Sequence, residues 1–335
     1  MKFSRIYIDV SNLYHRAFAT SSHLTFTLPD GTPIVTGGVF TSLKMISRLM
    51  DEYLSENGLM YFLFDYTHSE VDKKGSSKEE VESENIRKHI DPEYKANRTD
   101  RPDEKVFFYG LNILHLILMN YRSNFVVVKI PGYEADDLVK PLLEEVEDEY
   151  EQVLLVSKDL DWARGFSLAK NVYWLNGDKV YDPDLFEEEY GFFPTCESLT
   201  LYKAFRGDDS DHIPKGVPGI REKVLVKLVE EFDSVDEIIS KIEKISYLGE
   251  NWKNKIIENK NRIKLNYRLV DYLPLKRETV QEYAISCEYN PKVLRNLYHS
   301  LGFKISRVDM RLLKEFPSDD NSKENFFIAE RVERV

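Results

Sequence analysis

Acidic residues recur where short apolar runs end. Asp9 closes RIYID, Asp65 closes LMYFLFD, Glu134, Asp136 and Asp137 follow NFVVVKI, and Asp159 and Asp161 follow QVLLVS. Carboxylates are hard oxygen ligands, so a gathered set of them suits Mg²⁺ or Mn²⁺. Left uncompensated, such a set repels itself and resists ionisation, and divalent cations relieve that strain. Any single one of these acids is as well explained as a helix cap or loop residue. Their repetition at successive run ends is what points to a shared site. Asp159 and Asp161 stand two apart, which puts both on one side of an extended backbone. A further acidic pair, Asp208 and Asp211, lies in GDDSDHIP.

Such acids meet only if the runs are neighbouring parallel strands. Residues 5–9, 59–65, 124–130 and 152–157 have the length and β-rich content of buried strands. Helical spacing at Leu43, Ile46, Met50, Tyr53 and Leu54, and a largely apolar helix around Leu111 to Leu118, supply elements between them. The expectation is an α/β domain over 1–193 with a mainly parallel sheet flanked by helices. In such sheets the ligand crevice lies beyond the carboxyl ends of the strands, so the acids converge on one rim. VYWLN and KVYD around Asn176-Gly177 read as a hairpin. After Pro194 the strand signal stops, and helical patterns at 199–205, 224–232, 235–242, 252–269 and 291–301 predict a smaller helical domain over 194–316. Residues 317–335 read as a loose polar tail.

Two segments carry cations in patterns suited to nucleic acid. Residues 66–105 are long, charged and poor in large apolar side chains, and long connections of this kind are commonly functional or disordered. Within RKHIDPEYKANR, Arg87, Lys88, Lys95 and Arg98 surround an exposed-looking Tyr94, which suits a backbone clamp with a stacking platform. In KGVPGIREKVLVKLV, Gly216 and Gly219 let a phosphate approach the backbone. The helix N-terminus that follows offers amide donors, with Arg221, Lys223 and Lys227 adding positive charge.

The 335 residues, 42% hydrophobic, are enough for one large or two ordinary domains. Lys and Arg total 46 against 58 Asp and Glu, a net charge of −12, which argues against a protein that coats nucleic acid by overall charge. Cys196 and Cys287 are too far apart in sequence to frame a CxxC zinc site or a disulfide scaffold, as expected of a reducing compartment. The histidines form no HExxH pattern, and His115 on its apolar helix reads as a core residue. With no apolar run of membrane-spanning length and no leader pattern, a soluble cytoplasmic protein without membrane contact is expected.

Taken in order, IDVSNLYHRAF (Asp9, Asn12, Arg16), FLFD, EYKANR, GYEADD, SKDLDW, RGDDSDHIP, GVPGI and LVEEFDSVDEII resemble the flap endonuclease/5'→3' exonuclease family. That family includes the bacteriophage 5'-nucleases and the 5'-nuclease domain of bacterial DNA polymerase I. The resemblance implies a PIN-like sheet domain plus a helical domain with a helix-hairpin-helix-like element at GVPGI. It implies one metal site from Asp9, Asp65, Glu134 and Asp136 and a second from Asp159, Asp161 and Asp208, with Asp137 and Asp211 close by, holding Mg²⁺ or Mn²⁺. It places Lys95 and Arg98 at the base of an arch over 66–105 as cations acting on the scissile phosphate, and K⁺ at the GVPGI turn. The implied partners are branched or 5'-ended DNA or an RNA/DNA hybrid, met by a monomer; apart from the resemblance, the tail sequence ENFFIAERVERV reads as a frayed terminus, with docking to a replication protein as the other reading. The implied work is structure-specific 5'-nuclease cleavage that removes RNA primers or flaps. Three positions depart from the family pattern: Lys215 is inserted before GVPGI, Arg221 stands where glycine is preferred, and His212 replaces an asparagine. Two other readings stay open, a catalytically silent protein that binds branched DNA and a PIN-type ribonuclease, which would lack the GVPGI element.

Overall fold

Phe3, Ile6, Tyr7 and Ile8 are buried along β1 (Phe3–Asp9), which runs directly into α1 (Val10–Ser21). Asp9 is the junction, and its side chain accepts from the Asn12 amide at 2.9 Å to cap the helix. A computed structural model describes residues 1–27, 31, 33–66, 86–96, 104–146 and 151–303. A small antiparallel hairpin, β2 (Thr25–Thr27) with β3 (Pro33–Val35), leads to α2 (Gly37–Tyr53) and β4 (Leu54–Phe64). α3 (Ile86–Ile90) and α4 (Glu104–Met119) precede β5 (Phe125–Lys129), and α5 (Val139–Leu143) precedes β6 (Val153–Val156). A 3-10 segment (Leu160–Ser167) then leads to β7 (Val172–Asn176) and β8 (Lys179–Tyr181). The helices α6 (Pro183–Tyr190), α7 (Cys196–Arg206), α8 (Glu222–Glu231), α9 (Val235–Lys241), α10 (Glu250–Glu258), α11 (Lys260–Val270) and α12 (Arg277–Tyr283) follow. β9 (Ala284–Ser286) and α13 (Pro291–Ser300) complete the described chain.

The main sheet has seven strands in the order β8-β7-β6-β1-β4-β5-β9. β1 lies between β4 and β6 and pairs in parallel with both, and the β4–β5 and β6–β7 pairs are parallel too. The register sets Asp9 against Leu63 and Ile8 against Val156, so Asp9, Asp65 and the residues after Val156 leave the sheet along one edge. Alternation divides the core. Ile6 and Ile8 face α1, α2 and α4, whereas Tyr7 faces the opposite side with Leu63, Leu155 and Trp162.

The sheet and the helical region share a core. Leu201, Leu228 and Ile263 belong to the same buried cluster as Tyr7 and Leu155. The chain beyond 194 is also not wholly helical, as its pattern suggested. β9 pairs antiparallel with β5, and Leu294, Leu297 and Tyr298 of α13 pack with Ile6 and Phe62. The expected helix over 252–269 is two helices, divided at Asn259. The Asn176-Gly177 hairpin forms between β7 and β8, with Gly177 at φ +69°. Among the described residues no helix is long and apolar enough to cross a membrane. The tail over 317–335, Arg98 and most of the 66–105 segment lie outside the described residues.

Candidate active site

The strand ends open into a cleft of about 1060 Å³ lined by Asp9, Asp65, Glu134, Asp136, Asp159, Asp161, Asp208 and Asp211. Residues from separated parts of the chain therefore face one space. Phe18, Phe107 and Phe108 line it too, with Phe107 in edge contact with Phe18 and Phe108. The cleft thus combines acids with an aromatic wall.

Several acids are caps and cleft residues at once. Asp9 caps α1 with one oxygen while the other accepts from the Ser157 hydroxyl at 2.8 Å. Asp159 caps the 3-10 segment, accepting from the Asp161 amide at 3.0 Å. Asp208 accepts from the Ser210 amide at 2.9 Å with one oxygen and turns the other toward the cleft. Short turns leaving a strand end are where an Asp side chain satisfies orphan amides, so capping fixes these carboxylates in place. Asp65 is fixed similarly, by the Ala135 amide at 2.8 Å.

Their charge is balanced by the chain's own cations. Lys203, on α7, sits among the later acids, with Nζ 2.8 Å from Asp161, 2.9 Å from Asp208 and 3.2 Å from Asp159. Lys95 donates to Glu134 at 2.7 Å and lies 3.8 Å from Asp211. Its backbone is left-handed at φ +56°, and its amide donates to the Asp211 carbonyl at 2.9 Å. A non-glycine residue held there stores strain of a kind that concentrates at functional sites. His212 is also left-handed, at φ +58°, a conformation in which Asn and His are both enriched, so the exchange of one for the other is accommodated.

Titration follows burial and neighbours. Burial, with Asp65 nearby, pushes Asp9 up to about 7. Burial and the adjacent Asp137 hold Asp136 well above the ordinary carboxylate range, and burial raises Asp161. Burial opposes the charged forms of Asp159 and Asp208 as well, but Lys203 outweighs it: Asp159 is lowered, and Asp208 falls to about 2. Lys203 itself is raised well above its usual value, because these three carboxylates overcome its desolvation.

Several expected roles are corrected by placement. Arg87 is not a surface clamp. It is 1% exposed, with its guanidinium bidentate on Asp137 at 2.7 and 2.8 Å. Asp137 in turn accepts from the Leu273 amide at 3.0 Å and the Glu134 amide at 3.2 Å, which commits both its oxygens to internal bonds and takes it out of the ligand set. Tyr94 is not a stacking platform, because it is 2% exposed and its hydroxyl donates toward Glu134 at 3.0 Å and Asp211 at 3.1 Å. Gly216 is buried rather than open to a ligand, and an added Cβ would fall 2.2 Å from the Ala204 carbonyl oxygen. Gly219 differs: φ is +80°, no atom lies within 4 Å of its Cβ position, and the residue is exposed. Arg221, Lys223 and Lys227 are exposed, and Arg221 at φ −77° does not need glycine's freedom. Sequence reasoning missed Lys203 and Arg164. The latter is wholly buried, 3.5 Å from Asp136 and 3.9 Å from Asp161. The signal for both is a lone cation inside a wholly buried stretch, TLYKAF and WARGF.

Among the described residues, no three acids, histidines or cysteines stand close enough together to enclose an ion as they are placed. The donor set nevertheless fits a divalent cation. All the donors are hard oxygens, a buried Asp161 oxygen has no hydrogen-bond partner, and the Lys203 ammonium occupies a position equidistant within about half an ångström from three carboxylates.

Two family models match in succession: the 5'-3' exonuclease N-terminal resolvase-like domain over residues 5–191, and the 5'-3' exonuclease C-terminal SAM fold over 195–282. The chain belongs to the 5'-3' exonuclease family. It is 31% identical to the 5'-3' exonuclease of Buchnera aphidicola subsp. Schizaphis graminum over 268 residues, covering 79% of this chain and 84% of that one. It is 27% identical to DNA polymerase I of Caldicellulosiruptor bescii, covering 93% of this chain but 34% of the polymerase. Its fold is similar to that of the zinc-bound T5 5'-exonuclease, with a TM-score of 0.56, 18% identity and coverage of 94% and 99%. A bacteriophage T5 flap endonuclease variant complexed with DNA and metal ions matches with a TM-score of 0.57 and 20% identity, covering 92% and 98%. At these identities the structural likeness establishes the fold of this exonuclease-family chain, a mostly parallel sheet with flanking helices followed by a helical region.

Proposed function

We propose that this exonuclease-family chain hydrolyses phosphodiesters near the junction of a single-stranded 5' end and a duplex, as a 5'→3' exonuclease and flap endonuclease. The observation that carries this reading is the convergence of Asp9, Asp65, Glu134, Asp136, Asp159, Asp161 and Asp208 on one cleft. Asp9, Asp65, Glu134 and Asp136 would hold one Mg²⁺ or Mn²⁺ ion and Asp159, Asp161 and Asp208 a second. Bound ions supply Lewis acidity, lower the pKa of water and offset charge on the leaving oxygen.

The chain's own residues do the rest. Lys95 and Lys203 are held in the cleft by the same carboxylates that would take the ions, so with those carboxylates engaged elsewhere each ammonium would be available to an anionic phosphate. A donor of that kind contributes about 2.7–4 kcal/mol in comparable electrostatic sites. Arg98 would join Lys95. The aromatic wall of Phe18, Phe107 and Phe108 excludes water and accepts base faces. Exposed Gly219 with Arg221, Lys223 and Lys227 would hold duplex phosphates, with K⁺ at the same turn. The substrates in view are branched or 5'-ended DNA and RNA/DNA hybrids, met by a monomer. The helical region that carries this turn separates the chain from a minimal PIN-type ribonuclease.

The test is a labelled 5'-flap duplex incubated in Mg²⁺ and in EDTA with the intact chain and with Asp136→Ala/Asp159→Ala. Cleavage in Mg²⁺ by the intact chain alone is expected. Equal cleavage by the variant rejects the mechanism.

A further inference from the structure

The last carbonyls of any helix lack intrahelical donors. At the end of α11 two buried guanidiniums take that place: Arg87 Nε donates to the Leu269 carbonyl at 2.7 Å, and Arg164 Nη1 donates to the Val270 carbonyl at 2.8 Å. Cations at a helix C-terminus also complement its dipole. Their other edges face the acids. Arg87 is bidentate on Asp137 and 3.6 Å from Asp136, while Arg164 approaches Asp136 and Asp161. The chain just past α11 is held by the same groups. The Asp271 carbonyl accepts from Arg87 at 3.1 Å, and the Tyr272 ring centre lies 3.9 Å from the Arg164 guanidinium.

One helical turn earlier, the same helix carries the glycine turn. Asn266, wholly buried, donates through Nδ2 to the Pro214 carbonyl at 2.7 Å and the Ala204 carbonyl at 3.0 Å. Pro214 precedes Lys215 and GVPGI, and Gly216 sits so close that its Cβ would lie 3.1 Å from Ile263 of α11. The turn therefore rests on α11 at residues 263–266 and the acids are tied to it at 269–270, with Asn266 about 5 Å from those last residues along the helix axis.

We propose that this last turn of α11, with Asn266 and Arg164 as positioning residues, fixes the register between the duplex-holding turn and the carboxylate cluster and so selects which phosphodiester is cut. The inference rests on the nuclease reading above. Successive phosphates of a strand are spaced by about 3.4 Å along a duplex, and misplacement by about 1 Å costs on the order of 100-fold at the correct bond. A small slip of the turn against the acids thus brings a neighbouring bond into competition.

The experiment reads cut positions at single-nucleotide resolution on a labelled 5'-flap duplex in Mg²⁺. It compares the intact chain, Asn266→Ser, Arg164→Lys and, as a destabilised control remote from α11, Leu297→Ala, all shown by thermal melting to be folded. The intact chain and Leu297→Ala are expected to give one dominant product. Asn266→Ser and Arg164→Lys are expected to raise the share of adjacent products at least about threefold. If Arg164→Lys does not fold, Asn266→Ser decides. Unchanged cut positions with only slower turnover overturn the proposal and leave the nuclease reading standing, as does equal broadening by Leu297→Ala. No cleavage by the intact chain overturns both.

Discussion

Asp159, Asp161 and Asp208 share the ammonium of the buried Lys203, and removing it leaves three carboxylates, Asp161 among them buried, facing one another. Lys203→Met should cost about 3–5 kcal/mol without metal, as breaking a buried ion pair does. Because Mn²⁺ binding then relieves repulsion, linkage should return more stability to the variant than to the intact chain. Thermal melts in EDTA and in Mn²⁺ measure this, and equal metal-induced shifts would contradict it. Arg87 and Asp137 make a parallel case. Asp137→Ala should lower stability by about 3–5 kcal/mol in urea titrations, whereas Arg87→Met/Asp137→Leu, which removes both charges, should recover part of the loss, the Leu269 and Asp271 carbonyls losing their donor. A double variant as unstable as the single one would refute that pairing. At this scale the acids were legible because an Asp at a strand end announces itself in sequence. Their cationic counterweights were not, since Lys203 and Arg164 are each the single charge of a short stretch, TLYKAF and WARGF, and only burial reveals that the charge must be paired.

Among elements, the central strands were readable because each is an unbroken apolar run buried on both faces. β9 was not, because three residues on a sheet edge are too short for periodicity, and its place is set by pairing with β5. The break at Asn259 was hidden for a related reason: apolar spacing continues across it from Ile256 to Ile263. α4 carries a pH effect of definite sign. Burial, aided by Lys129, pushes His115 down to about 4. Between that value and the ordinary 6.5, the unfolded chain takes up a proton that the folded chain refuses. The stability involved is therefore present above about pH 6.5 and is lost as pH falls toward 4. From pH 7 to pH 5 the intact chain should lose roughly 2 kcal/mol more than His115→Leu, as measured by urea unfolding at both values. Parallel losses would show that the histidine does not titrate in this way.

For the molecule as a whole, a net charge of −12 and a nucleic-acid substrate are reconciled by segregation, with acids lining the cleft and Arg221, Lys223 and Lys227 exposed at α8. Duplex affinity should therefore depend on that small basic face. Lys223→Ala/Lys227→Ala should weaken duplex binding in Ca²⁺ and reduce the slope of log affinity against log salt by about 2, and an unchanged slope would place the duplex elsewhere. The most direct measurement is anomalous diffraction from crystals soaked in Mn²⁺. Peaks are expected beside Asp9, Asp65 and Asp136 and between Asp159, Asp161 and Asp208, with the Lys203 ammonium withdrawn from its three carboxylates. Crystals that still cleave a soaked 5'-flap strand while showing no manganese at either place would contradict the central claim that these acids act by holding metal ions.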